Sequence, residues 1–406
     1  MSGGIGTFLK NVTLPNIGGC RGGISDVSIR DGRIQRMANG LDEPEAKILD
    51  CTGLLLVPGL VNAHAHLDKT MWGAEDYENG IANAPQLSDL VENERAMRRA
   101  GVIEVRRSAP LLLGRMIALG TTALRTHIDV DDFVGMDGVE AVLEVRDAHR
   151  DRIDIETVAF PQSGILRSER TKNLLESALE MGVDAIGGLD PAQFDRDAVQ
   201  HLDIVFRLAA EHGKKIDIHL HERSTLGLNT ISLIAKRTAE YGLGGSVAVS
   251  HAFCLGDASG SAFDRIMDLL AESGVALVTS APGDCEFAPH DEALRRGMNY
   301  ALGTDNIRDA WSYLGNGDML DRVRLLAERR YLRTAELIED ASTTATFEGA
   351  RLLGLENYGI EPGCAADFFL VPSTRLADAV TQCPERRIVF KRGRIVTGAD
   401  NVRYVD

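Results

Sequence analysis

His64 and His66 stand one residue apart near the end of a short apolar run, VPGLVNAHAHLDK, that spans residues 57–69. On a β-strand, residues two apart share a face, so both imidazoles leave the strand in one direction. That is how a metal-binding pair is laid out. Two polar residues that merely cap a strand would look the same at this one place. The rest of the chain weighs against that: six of its ten histidines (His64, His66, His127, His219, His221, His251) fall at the ends of short apolar runs, and Asp305 ends another.

Three imidazoles and one carboxylate make a zinc or iron shell with a position left for water. His64, His66, His219 and Asp305 are the candidates. One divalent ion, zinc or alternatively iron, would bring the pKa of bound water down towards neutrality, and Asp305 could take the proton. Glu222, three residues beyond His219, is placed to carry a proton to a leaving nitrogen. His251 would polarise the bond under attack or steady the attacking water. His221 shares a face with His219 and reads either as a substrate contact or as a supporting residue. His127 reads as a hydrogen-bonded histidine at the mouth of the fold. His149, His201 and His212 fall on helical stretches and read as solvated.

The elements that carry these residues recur in order. The apolar runs are LLLVPGLVNAHAH, TTALRTHIDV, IETVAFPQ, DAIGGLDP, KIDIHLHE, SVAVSHA, VALVTSAP and NYALGTDN. After the first, their ends fall roughly thirty residues apart, the length of one βα unit. Stripes such as Ala198, Leu202, Val205, Phe206 and Ala209, stopped by Gly213, give the helical period between them. Eight units in series predict an α/β chain whose main body, residues 58–355, is a (β/α)8 TIM-type barrel. In that fold the active site lies at the C-terminal ends of the strands, where the unusual residues fall. The flanks, 1–57 and 356–406, carry short strands with turn residues and are expected to meet as one small β-sandwich domain.

Composition narrows the partners. Sixty acidic against 44 basic residues give a net charge of −16, which repels polyanions, so nucleic acid and acidic membrane surfaces are poor partners. No stretch approaches the roughly 18 apolar residues of a membrane span, and MSGGIGTFLK lacks the core of a signal peptide. Six scattered cysteines without a CxxC pair read as reduced thiols of a cytoplasmic protein. The missing PCxxC element also excludes the other zinc deaminase fold. A neutral or cationic small molecule fits better, and a homo-oligomer is open.

HAHLDK, RTHIDVDD, VAFPQSGIL, HLHE, SHA, and DN followed by Trp311 occur in strand order. With them the chain resembles the amidohydrolase superfamily and, within it, the cytosine deaminase group. The resemblance implies metal ligation by His64, His66, His219 and Asp305, a proton shuttle at Glu222 and an assisting His251. It also implies substrate contacts at Gln162, with Trp311 near the pocket; Asp190, Lys69, Asn306 and His221 are counted with the substrate contacts. Two-metal relatives often carry a carboxylated lysine on strand four, and DAIGGLDP has none, so one metal is expected. Asn306 stands where cytosine deaminase has an aspartate. GGLDPA, SHAFCLGDA and HLDK look closer to the triazine-ring N-alkylammelide amidohydrolases, whereas Glu222 agrees with cytosine deaminase. The expected reaction is hydrolytic loss of ammonia or an amine from a ring carbon of a nucleobase-like heterocycle, cytosine deaminase-like or alternatively N-alkylammelide-type. Cyclic amide hydrolysis and a non-catalytic binding module are the less favoured readings. Loops such as MWGAEDYENG and APGDCEFAPH are expected to decide the substrate.

Overall fold

Two sheets hold the sixteen strands found among the described residues of the computed structural model, which are 6–43, 45–75, 87–402 and 404. The last part of the MWGAEDYENG segment, from residue 76, lies outside them. The N-terminal flank supplies β1 (Thr7–Leu14), β2 (Gly23–Arg30), β3 (Arg33–Ala38), β4 (Lys47–Asp50) and β5 (Leu54–Pro58). The middle supplies β6 (Leu60–Ala65), β7 (Thr121–Asp129), β8 (Asp154–Phe160) and β9 (Ala185–Leu189). It continues with β10 (Lys215–Leu220), β11 (Val247–His251), β12 (Ala276–Thr279) and β13 (Tyr300–Leu302). The C-terminal flank adds β14 (Phe368–Pro372), β15 (Ile388–Lys391) and β16 (Arg394–Thr397).

Strands β6 to β13 pair in sequence order, all parallel. The eight sequence runs thus supply the eight strands of a nearly closed barrel, with helices between them as βαβ units require, except that the first run splits at Gly59: LLLVP is β5 of the other sheet and only the part after Gly59 is β6. Across the closing seam, the Asp305 amide donates to the His64 carbonyl at 2.9 Å, and Asn62 exchanges hydrogen bonds with Thr304 at 2.8 and 3.0 Å. Gly303 lets the seam close: a Cβ there would lie 2.5 Å from the Cβ of His64. β13 stops after three residues, so Asp305 and Asn306 ride on the following loop rather than on the strand.

The helical stripes form as the period dictates. The helix Ala198–His212 buries Leu202, Val205, Phe206 and Ala209 and stops at Gly213 in the left-handed conformation, φ 61°. His201 departs from expectation. It is fully buried, not solvated, with Nδ1 2.7 Å from Asp195 Oδ2. That carboxylate also accepts the Ile165 amide at 2.8 Å, so the pair ties the helix to the loop after β8.

The flanking strands join in one hydrogen-bonded sheet, β16-β15-β14-β5-β1-β2-β3, with β4 beside β1. Alternation along β5 and β14 buries both faces. Leu56, Phe368 and Leu370 enter the sheet's own core, while Leu55, Val57, Phe369 and Val371 pack with Met319, Leu320 and Val323 beyond the barrel. The chain passes from one sheet to the other at Gly59, where a Cβ would sit 2.1 Å from Thr122 Oγ1. Among the described residues no helix is long and apolar enough to cross a membrane.

Candidate metal and substrate site

Every barrel strand delivers its polar tail to the same end, as a parallel barrel must. His64 is the last residue but one of β6, and His66 follows the strand. His219 lies on β10, His251 closes β11, and Asp305 follows β13. The strand-end backbone is bent to aim them: Asp190, His251 and Asp305 adopt positive φ of 36°, 72° and 60°. Non-glycine residues take this region at a cost of order 1–3 kcal/mol, the kind of strain that gathers at functional sites.

Nε2 of His64 and Nε2 of His66 each lie 3.5 Å from Asp305 Oδ1. The His219 ring centroid is 4.6 Å from that of His64, and His251 Nδ1 is 3.9 Å from Asp305 Oδ2. All four imidazoles are buried, and His64 Nε2, His251 Nε2 and both His219 nitrogens lack a hydrogen-bond partner. Buried polar atoms are rarely left unpaired. Burial holds His66 down to about 4, with Lys69 adding to the effect, and puts His219 and His251 well below the usual histidine range. Neutral imidazoles with free lone pairs, converging on a carboxylate, suit a divalent metal.

The tautomer of His64 follows from its other nitrogen. Ser250 Oγ donates its single proton to Asp217 Oδ1 at 2.7 Å, and Arg125 occupies Asp217 Oδ2 at 2.7 Å. His64 Nδ1, 2.9 Å from Ser250 Oγ, must therefore be the donor, which leaves the Nε2 lone pair facing Asp305. Ser250→Ala is expected to weaken divalent-metal binding about 10- to 100-fold in a chelator competition. Unchanged affinity would mean the tautomer is set elsewhere.

His127 is not the hydrogen-bonded histidine of the sequence reading. It is fully buried on β7, neither ring nitrogen has a partner, and its ring lies 4.2 Å from His64 and 4.5 Å from His219. It lies two residues short of the β7 end, with Nε2 3.8 Å from Asp217 Oδ2.

A small cavity opens beside the imidazoles. His66, His219, His221, His251 and Asp305 line one side; Lys69, Phe160, Gln162, Leu189, Asn306 and Trp311 line the rest. Gln162 is 5% exposed and its Nε2 has no partner. Asn306 spends an amide hydrogen on Asp309 Oδ2 at 2.5 Å. Lys69 is both cavity lining and ion pair, with Nζ 2.8 Å from Asp129 and 3.4 Å from Glu94. Burial opposes its charge, but the carboxylates of Asp129, Glu94 and Asp68 outweigh that and keep the ammonium protonated.

Glu222 and Asp190 take places that strand alternation did not foretell. Glu222 is buried and is not among the cavity-lining residues. Its Oε1 accepts the amides of Ala192 and Gln193 at 2.7 and 2.9 Å, and its Oε2 accepts from Thr230. Asp190 reaches His221 instead: Oδ2 lies 2.9 Å from Nδ1, and Oδ1 accepts the His221 amide at 2.6 Å. His221 stacks on His251 at 4.4 Å. Burial would lower its pKa, but Asp190 more than compensates and raises it.

The sequence reading missed Glu94, Asp129 and Asp309, which stand behind the cavity wall. Glu94 lies in a helix whose position nothing local announces, whereas Asp309 sits in DNIRDAW and could have been found as an Asx turn: its Oδ1 accepts the amides of Trp311 and Ser312 at 2.9 and 3.0 Å. Burial pushes Asp309 up to about 7. Its folded pKa lies above the unfolded value, so the folded state binds its proton more tightly. That contribution is full below about pH 4 and is lost as pH rises towards about 7. The difference in Tm between Asp309→Asn and the parent protein is therefore expected to change by several degrees between pH 4 and 7. A difference flat across that range would show that the carboxyl is ionised throughout.

Residues 121–397 match the amidohydrolase family. N-isopropylammelide isopropyl amidohydrolase of Pseudomonas sp. (strain ADP) is 34% identical over 376 residues, 92% of this chain and 93% of that protein. The chain belongs to the amidohydrolase family. Its members are metal-dependent hydrolases of C–N bonds, in keeping with the orphaned imidazoles. The crystal structure of N-isopropylammelide isopropylaminohydrolase from Burkholderia multivorans shares 37% identity and a TM-score of 0.90, covering 97% of this chain and 98% of that one. A 5-methylcytosine deaminase from Klebsiella pneumoniae, 23% identical, has the same fold with a TM-score of 0.83 over 96% of this chain and 97% of that one.

Proposed function

We propose that this amidohydrolase removes an amino or alkylamino group hydrolytically from a ring carbon of a planar nitrogen heterocycle. An amino-dioxotriazine of the N-alkylammelide type is the first ring to test, with cytosine-type pyrimidines as the alternative. The observation that carries the reading is one cavity in which a protonatable His221–Asp190 pair and converging neutral imidazoles face an unpartnered amide at Gln162.

His64, His66, His219 and Asp305 would hold one divalent ion, zinc or alternatively iron, and such an ion makes a bound water acidic enough to react near neutral pH. The ring lies against the face of Trp311. Gln162 donates to a ring oxygen or nitrogen, and Lys69 favours an oxo group or an anionic tautomer. With its amide hydrogen engaged by Asp309, Asn306 turns its carbonyl to a ring N–H. Asp305 takes a proton from the attacking water as its oxygen bonds to the ring carbon; the C–N bond breaks as the departing nitrogen takes a proton from His221, whose protonated form Asp190 favours, and the proton held on Asp305 then makes good the one His221 has given up. His251 steadies the oxygen that becomes the new carbonyl. Glu222 supports this arrangement by fixing the Ala192–Gln193 turn that follows Asp190.

A panel of N-alkylammelides, ammelide, cytosine and related rings, followed by mass spectrometry and ammonia or amine detection, tests this. Loss of the amine with gain of oxygen, fastest on an oxo-rich triazine, is the expected result. Gain of water without loss of nitrogen would make the protein a cyclic amide hydrolase. No turnover by metal-loaded protein would make it a binding module.

A further inference from the structure

We propose that Glu94, on a helix outside the barrel strands, is a positioning residue that sets the substrate-facing wall of the cavity by holding Lys69 and Trp311 together. This rests on the reading of the cavity as a heterocycle site. Lys69 follows β6 and Trp311 follows β13, so the two residues come from loops on opposite sides of the barrel's closing seam. A single carboxylate oxygen joins them. Glu94 Oε2 accepts the Trp311 indole N–H at 2.6 Å and lies 3.4 Å from Lys69 Nζ, while Oε1 accepts from Arg98 Nε at 2.9 Å.

Glu94 is 3% exposed, and an ionised carboxylate so deeply buried is stable only when every partner is in place. The helix Leu87–Arg99 is correspondingly pinned on both sides of it: Asn93 Nδ2 reaches the Ala310 carbonyl at 3.3 Å, and Arg95 Nη2 reaches Ser163 Oγ, next to Gln162, at 2.6 Å. Two consequences follow for a bound ring. The indole N–H is already spent, so Trp311 can offer only its face. The ammonium of Lys69, 5.5 Å from the Trp311 ring centroid, is partly neutralised, so a neutral ring bearing oxo groups is accepted without a full negative charge. Glu94 touches no metal-ligand candidate in these contacts, so its effect belongs to substrate binding rather than to metal retention.

The test compares Glu94→Ala and Glu94→Gln in the full-length, metal-loaded protein. Gln can still accept the indole N–H but carries no charge for Lys69. Expected for Glu94→Ala is a KM raised about 30-fold, kcat within about 5-fold of the parent, and unchanged metal content; Glu94→Gln should fall between. Trp72 and Trp311 are the chain's two tryptophans. In a Trp72→Phe background, the emission of Trp311 should therefore shift in Glu94→Ala and stay near the parent in Glu94→Gln. An unchanged KM, or a fall in kcat and metal content with KM unmoved, would overturn the proposal. Should Glu94→Ala fail to fold, the Gln variant with Trp311→Phe decides: the two effects on KM should be less than multiplicative, and independent effects would refute the coupling. If no ring is turned over by the parent protein, the functional reading fails. The emission of Trp311 still reports whether Glu94 holds it, and an unmoved spectrum would sink the inference by itself.

Discussion

His219→Ala is expected to purify with less than about a tenth of the parent's metal and to lose at least about 1000-fold in kcat/KM. The expectation comes from what the ring does not do. It is stacked on Phe160 at 4.1 Å and buried, yet neither nitrogen meets any protein group. Its lone pair has no use in the metal-free fold, where the orphaned nitrogens are a cost. Truncation therefore removes packing but no hydrogen bond. In chelated protein the fall in Tm should be modest, whereas in metal-replete protein it should be larger, because only the parent gains stability by binding the ion. Metal analysis with two melting curves, with and without chelator, checks this. Parent-level metal in His219→Ala would overturn the proposed ligand set, and equal Tm losses in both conditions would show that His219 acts only as packing.

The barrel was legible because its signal is periodic. Eight apolar runs, each ending in polar residues, map onto β6 to β13 in order, and the stop at Gly213 terminates its helix in left-handed geometry. His64, His66, His219, His251 and Asp305 come together as their strand-end positions required. What failed was the direction of side chains beyond the last strand pairing. There alternation no longer applies, and positive φ at Asp190 or His251 re-aims the chain. Glu222 illustrates it: three residues past His219 says nothing about the Ala192 and Gln193 amides that capture its carboxylate. His127 and His201 illustrate the other limit. A histidine on a strand or a helix gives no sign of burial until the partner across the core is known, which for His201 is Asp195. Glu94 was beyond reach for the same reason, since its partners lie in loops after two other strands.

His221→Asn should reduce kcat by about 100-fold or more with metal content unchanged, while Glu222→Gln should have the smaller effect of the two. The motif alone favours the reverse order, because the glutamate after the strand-five histidine is the shuttle that the resemblance implies. Geometry separates them. His221 lines the cavity and takes its second nitrogen to a buried aspartate, the arrangement that keeps an imidazole charged and oriented while the other nitrogen faces the reacting bond. Glu222 has both oxygens committed, to two backbone amides and a threonine, and burial raises its pKa. Gln in its place can keep one oxygen on the Ala192 and Gln193 amides, and Thr230 can turn its hydroxyl to the Leu226 carbonyl, 3.3 Å away. The turn after Asp190 therefore survives the change. Asp190→Asn supplies the third arm: it should behave like His221→Asn, because an amide cannot hold the imidazole charged as a carboxylate does. Single-turnover rates with a triazine bearing chloride in place of the amine, a leaving group that needs no proton, should recover much of the loss in His221→Asn and Asp190→Asn. A larger defect in Glu222→Gln, rescued by that same substrate, would return the proton to the glutamate and require its side chain to swing into the cavity during turnover.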